Sequence, residues 1–215
     1  MSDEPNWEPE IRYPKIGDTL IKETGGKQGK LLFTDLMTGK FGIYADGFKL
    51  AADKLVNQIT GEPWDDRLIN PVVFLYRHFV ELKLKEIILD LDSLGGTQVP
   101  EGIFMKHDLM NLWDYLKKHL SCIRAPIVDK QIIPSLHSML SELHKLDPDS
   151  YHFRYGIDTK WQPVEVPRCL SASHFQEMMD VINNGLNYLQ CGVEVELDTR
   201  RDEAQFMADN YMPYE

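Results

Sequence analysis

Between Asn70 and Leu89 apolar residues occupy almost every helical angle. At about 100° per residue, Val72, Val73, Leu75, Tyr76, Phe79, Val80, Leu82 and Leu84 are spread around most of the circumference. A helix that is apolar nearly all round is a buried helix. Pro71 suits its first turn, where a missing N–H removes no intrahelical bond. Arg77, Glu81 and Lys85 fill the one gap in the ring at i, i+4 and i+8, with His78 at its edge. Charges inside such a helix require answers, because an unpaired buried charge is strongly destabilising. The rest of the fold must therefore bring counter-charges or hydrogen bonds to this stripe, or leave it as the wall of a wet cleft.

The other elements are read from the same periodicity. Phe48, Leu50, Ala51, Ala52, Leu55, Val56 and Ile59 predict a helix from roughly Tyr44 to Gln58, stopped by Gly61-Glu62-Pro63. The central helix is expected to run to about Leu94 and end at Gly95-Gly96. Leu109, Leu112, Trp113 and Leu116 share one face of a further helix from His107 to Leu120, for which Asp108 is a suitable N-cap. A fourth helix spans about Asp129 to Leu146 and breaks at Asp147-Pro148-Asp149-Ser150. The aromatic run from Tyr151 to Trp161 reads as a structured loop packed on the bundle. A last helix from about Ser173 to Leu189 buries Phe175, Met178, Met179, Val181, Ile182, Leu186 and Leu189. Val193, Val195 and Leu197 alternate with acidic residues and predict a short strand, followed by a polar and aromatic tail to Glu215. Near the N-terminus, two β-prone runs flank Gly25-Gly26-Lys27-Gln28-Gly29-Lys30 and predict a hairpin. The expected organisation is an N-terminal extension over 1–44, a helical bundle over 45–190, and a strand and tail over 191–215. The fold class is mainly α with a small β element from the termini.

Composition narrows the function classes. The 215 residues are 43% hydrophobic and 27% charged, ordinary for a globular chain with one core. No run of about 18 apolar residues and no hydrophobic segment behind the acidic N-terminus is visible, so a cytoplasmic protein without membrane contact is expected. Cys122, Cys169 and Cys191 are widely spaced, which fits reduced thiols. The formal net charge of −11 opposes broad attraction to polynucleotides, so any such contact must be local. The Gly/Lys turn is not a phosphate-binding loop, because Thr24 and Leu31 stand where that motif needs Gly and Ser or Thr. His137 with His144, and His119 with Cys122, lack a third metal ligand, and nothing in the pattern calls for a cofactor.

Candidate chemistry centres on the charged stripe. Arg154 is placed to pair with Glu81, Asp158 to meet Arg77 or Lys85, and His107 with Asp108 to reach His78. One reading is a structural polar network. The other is a cleft in which Arg77 or Arg154 holds a phosphate while His78 or His107 exchanges protons.

The stretch Phe74-Leu75-Tyr76-Arg77-His78-Phe79-Val80-Glu81-Leu82-Lys83-Leu84-Lys85, then His107-Asp108-Leu109 with Leu112-Trp113, then Phe153-Arg154-Tyr155 with Asp158, resembles helical domains of the HEPN superfamily (higher eukaryotes and prokaryotes nucleotide-binding). The resemblance covers roughly residues 45 to 190. It implies an antiparallel bundle of four or five helices, often a homodimer. Many members are metal-independent ribonucleases of defence or toxin systems, and others only bind nucleotides or partners. Catalytic members carry Arg, four to six residues, then His near the start of a late helix. Arg168-Cys169-Leu170-Ser171-Ala172-Ser173-His174 matches that spacing, with Cys169 in place of the usual polar residue. The expected function is thus an RNA-directed endonuclease or nucleotide-recognising protein with a pocket beside Arg77, His78, Glu81, His107 and Arg154, or alternatively one using Arg168 and His174. The competing expectation is a non-catalytic helical module whose acidic surface meets a basic protein partner.

Overall fold

In the computed structural model, residue 14 and residues 41–95, 99–100, 102–124, 131–157, 160–162 and 169–210 are described. The expected hairpin, the Gly/Lys turn, Asp158 and Arg168 lie outside them. The chain divides into two units, Met1–Thr38 and Gly39–Glu215, and the second holds nearly all the described residues.

This second unit is mainly helical, with six α-helices among the described residues: α1 (Gly42–Val56), α2 (Ile69–Ser93), α3 (Leu109–His119), α4 (Ile132–Leu146), α5 (His152–Tyr155) and α6 (Ala172–Asn210). Helix α2 is the hub. It packs against α1, α3, α5 and α6, while α4 rests on α3 and α6. Its residues are buried on every side from Phe79 through Ile88, the charged positions included. Burial all round follows from the apolar ring in its sequence. A 3₁₀ turn over Pro63–Leu68 leads into it, and Pro71 falls at its third residue, still within the first turn. Gly95, at φ 72°, adopts the left-handed conformation that commonly ends helices.

Helix α3 begins where the cap predicts. The Asp108 carboxylate accepts from the backbone N–H groups of Met110 and Asn111 at 2.9 and 3.0 Å. Leu109, Leu112, Trp113 and Leu116 are fully buried on one face. The Trp113 indole N–H donates to His137 Nδ1 on α4, so that histidine is spent on joining two helices.

Three expectations are corrected. Residues 191–197 are not a strand but part of α6, which continues unbroken to Asn210. Alternating Val193, Val195 and Leu197 also fit a helix: Val193 and Leu197 are four apart and extend the face of Ile182, Leu186 and Leu189, while Val195 turns outward. Val181, expected in the core, is likewise exposed. In addition, the aromatic segment after Ser150 forms the single helical turn α5, with Phe153 buried beneath it. Helix α6 is about 58 Å long at 1.5 Å per residue, and its last ten residues, 201–210, are all exposed.

Among the described residues no helix is long and apolar enough to cross a membrane.

Candidate functional site

The stripe on α2 is answered from within. Glu81 is fully buried and takes three donors: Arg77 Nη1 at 3.2 Å, Lys85 Nζ at 2.8 Å and the His107 ring. The first two lie one turn away on either side, so helix geometry alone brings them within reach. Burial by itself would raise the Glu81 carboxyl, but its bonds to Lys85 and His107 outweigh that and hold it below its usual value. It is therefore an anion at neutral pH.

Arg77, also fully buried, has little left to offer a ligand. Its Nε donates to the Asp147 carbonyl at 2.7 Å, and its Nη2 donates to the carbonyls of His107 and Pro148. The turn over Asp147–Ser150 supplies two of these acceptors. Ser150 adopts φ 55° there, uncommon outside glycine, and the turn is held because Asp147 Oδ1 accepts from the N–H groups of Tyr151 and His152. Asp147 Oδ2 stands 3.8 Å from Arg77 Nε, close enough for charge attraction but not for a hydrogen bond.

His107 lies where the buried network meets solvent. Its Nδ1 is 3.0 and 3.2 Å from the two Glu81 carboxylate oxygens, while the side chain is 48% exposed. An ionised carboxylate can only accept, so Nδ1 carries the hydrogen and Nε2 is left without a protein partner among the described residues. Arg77 fixes the same residue through its carbonyl, so both backbone and ring are held by buried charges. A surface cavity of about 550 Å³, lined by Lys106, His107, Asp108, Asn111 and Asp149, opens beside it.

The other expected residues take different places. His78 is one residue from Arg77 and so points about 100° away around the helix, between the rings of Phe48 and Phe74 at centroid distances of 4.4 and 5.8 Å. Burial pushes its pKa down and favours the neutral ring. Arg154 does not pair with Glu81. It is exposed, donates through Nε to the Ser150 carbonyl, and lies over the rings of Phe74 and Tyr155 at 5.8 and 5.5 Å. His174 is exposed, 3.7 Å from Glu177 on its own helix. Thus Arg77, Glu81 and His107 come together, and His78, Arg154 and His174 stand apart from that contact. Asp147 and Lys106 were missed in the sequence. Asp147 was legible only as a helix breaker, because the arginine it meets lies 70 residues away in the chain.

Among the described residues no group of three His, Cys, Asp or Glu side chains is placed to hold a metal ion.

The chain matches no protein-family model, and no curated protein or solved structure matches it either.

Proposed function

We propose that the chain is a HEPN-like antiparallel helical bundle that acts on RNA as a metal-independent endoribonuclease of a defence or toxin-type system, with His107 as the proton-exchanging group. One observation supports this above the others: a half-exposed imidazole whose Nδ1 is tied to a buried, ionised carboxylate and whose Nε2 has no protein partner among the described residues. That pairing fixes the tautomer and orients the free nitrogen. In the reaction, neutral His107 takes the proton of a ribose 2′-hydroxyl at Nε2. The 2′-oxygen then bonds to the adjacent phosphorus, the bond from phosphorus to the 5′-oxygen breaks, that oxygen takes a proton from water, and the hydroxide so formed takes back the proton held by His107. The products are a 2′,3′-cyclic phosphate and a 5′-hydroxyl end. Lys106, lining the cavity beside His107, supplies positive charge for the phosphate, and Glu81 and Arg77 are positioning residues.

The test is incubation of the purified protein with total RNA in EDTA, with substitution controls for contaminating nuclease. Cleavage abolished by His107→Ala in a folded protein supports the reading. Loss on His174→Ala alone moves the chemistry to Arg168 and His174.

A second reading, a non-catalytic module binding a basic protein, is favoured by the engagement of Arg77, four of whose five N–H donors go to Glu81 and three carbonyls. No cleavage and no nucleotide binding supports that alternative.

A further inference from the structure

Helix α6 carries two apolar faces, one buried and one exposed. Ile182, Leu186, Leu189 and Val193 form the buried face, against the bundle. At about 100° per residue, Val181, Tyr188, Val195 and Phe206 fall within about 40° of one another, roughly 130° round the helix from those four. They are 47, 41, 49 and 64% exposed. Thr199 lies in the same sector, and its hydroxyl donates to the Val195 carbonyl at 2.8 Å, so its polar atom is already engaged. From Val181 to Phe206 the stripe runs about 37 Å. The seven-residue steps from Val181 to Tyr188 to Val195 are those of a seam at which one helix meets another.

The charge beside the stripe is of one sign. Asp180, Asp198, Asp202 and Asp209 form a row about 65° to one side of it. Over its whole length α6 has eight carboxylates and two arginines. Both arginines are engaged, Arg200 by Glu196 and the carbonyls of Leu94 and Cys122, and Arg201 by Asp198. Asp202 has no ion-pair partner among the described residues. A second copy of the chain therefore fits this face poorly. In an antiparallel pair the two aspartate rows would face each other, and in either direction two carboxylate-rich helices would meet, which like-charge repulsion opposes.

The end of the helix adds a second observation. Residues 201–210 are exposed all round, and Arg124 holds this stretch through Glu203. Helical stretches without a packed face are marginal in water. A helical overhang that presents Phe206 in line with the stripe suits a segment that packs against a partner.

We propose that the outer stripe of α6 docks a basic amphipathic helix of another protein, its apolar residues against Val181, Val195 and Phe206 and its lysines or arginines along the aspartate row. The docking face is independent of His107 and holds whether or not the chain cleaves RNA. A stripe of this length and spacing takes a helix of about 25 residues rather than a loop.

The experiment is calorimetric titration of the full chain with a synthetic helical peptide of that length, with leucines at seam spacing and lysines flanking them. Two control peptides carry the same residues in scrambled order, or glutamate in place of each lysine. The ordered lysine peptide is expected to bind at least about tenfold more tightly than either control. Val195→Ser combined with Phe206→Ser should weaken that binding about tenfold, with circular dichroism unchanged. Asp198→Lys combined with Asp202→Lys tests the same face without touching its apolar residues, and should turn the preference toward the glutamate peptide. Equal binding of the ordered and scrambled peptides overturns the proposal, as does binding that ignores both pairs of substitutions. Sedimentation of the parent chain as a dimer that Phe206→Ser dissociates also overturns it, because a second copy then covers the stripe.

Discussion

Two buried glutamates organise this chain, and they are used differently. Glu81 lies at the middle of α2, fully buried, and shares its charge among Arg77, Lys85 and the half-exposed His107. Glu196 lies well along α6 and is 2% exposed. It accepts from Arg200 Nε at 2.8 Å, from Arg124 Nε at 2.8 Å and from the Arg124 backbone N–H at 3.0 Å. Arg200 then donates to the carbonyls of Leu94 and Cys122, where α2 and the turn after α3 end. Arg124 reaches Glu203 with two further bonds. The Glu196 cluster is therefore a tie between α6 and the ends of two helical elements, with every partner spent on backbone or on another charge. The Glu81 cluster leaves one ring nitrogen over, and that difference separates a brace from a candidate site.

The comparison can be tested from the larger effect downward. Glu81→Ala leaves Arg77 and Lys85 buried without their shared counter-charge, and urea unfolding should show a loss of about 3–5 kcal/mol. Glu196→Gln should lower the urea midpoint by less, because the arginines it releases are partly exposed. Its clearer signature is in acid. Bonds from Arg200 and Arg124 hold the Glu196 carboxyl at about 2 against an ordinary 4.5. A depressed folded pKa contributes stability that is complete above about 4.5 and is lost as pH falls through about 2. Stability measured between those limits should fall more steeply in the parent than in Glu196→Gln. Glu81, also held low, contributes to the decline of both proteins alike and leaves the difference to Glu196.

Much of this contrast is written in the chain, though unevenly. The i, i+4, i+8 spacing of Arg77, Glu81 and Lys85 inside an apolar ring announces a buried ionic stripe, because few other arrangements would place charge there. Asp108 announces α3 for an equally local reason. Glu196 was not legible: among alternating valines it reads as the solvent face of a strand, and only the continued helix turns it inward. Arg154 misled because an arginine among aromatics fits both a buried pair and an exposed ring contact. Apart from Glu81, the hydrogen-bond acceptors of Arg77 are backbone carbonyls, which carry no side-chain signature at all.

Two smaller substitutions sharpen the boundary of the site. Asp108→Ala removes a helix cap and should cost about 0.5–2 kcal/mol in thermal or urea unfolding. Arg154→Ala removes exposed ring contacts and one hydrogen bond to the Ser150 carbonyl, so a loss of about 1 kcal/mol is expected, with the His107 ring resonances unchanged. A change in those resonances would return Arg154 to the site.

The central claim is that the Glu81 carboxylate fixes the His107 ring with its hydrogen on Nδ1. Nitrogen-15 NMR of the imidazole, assigned by comparison with His107→Ala and recorded at a pH where the ring is neutral, reads this directly. A protonated Nδ1 and an unprotonated Nε2 are expected. A ring carrying its hydrogen on Nε2, or an even mixture of the two tautomers, would contradict it.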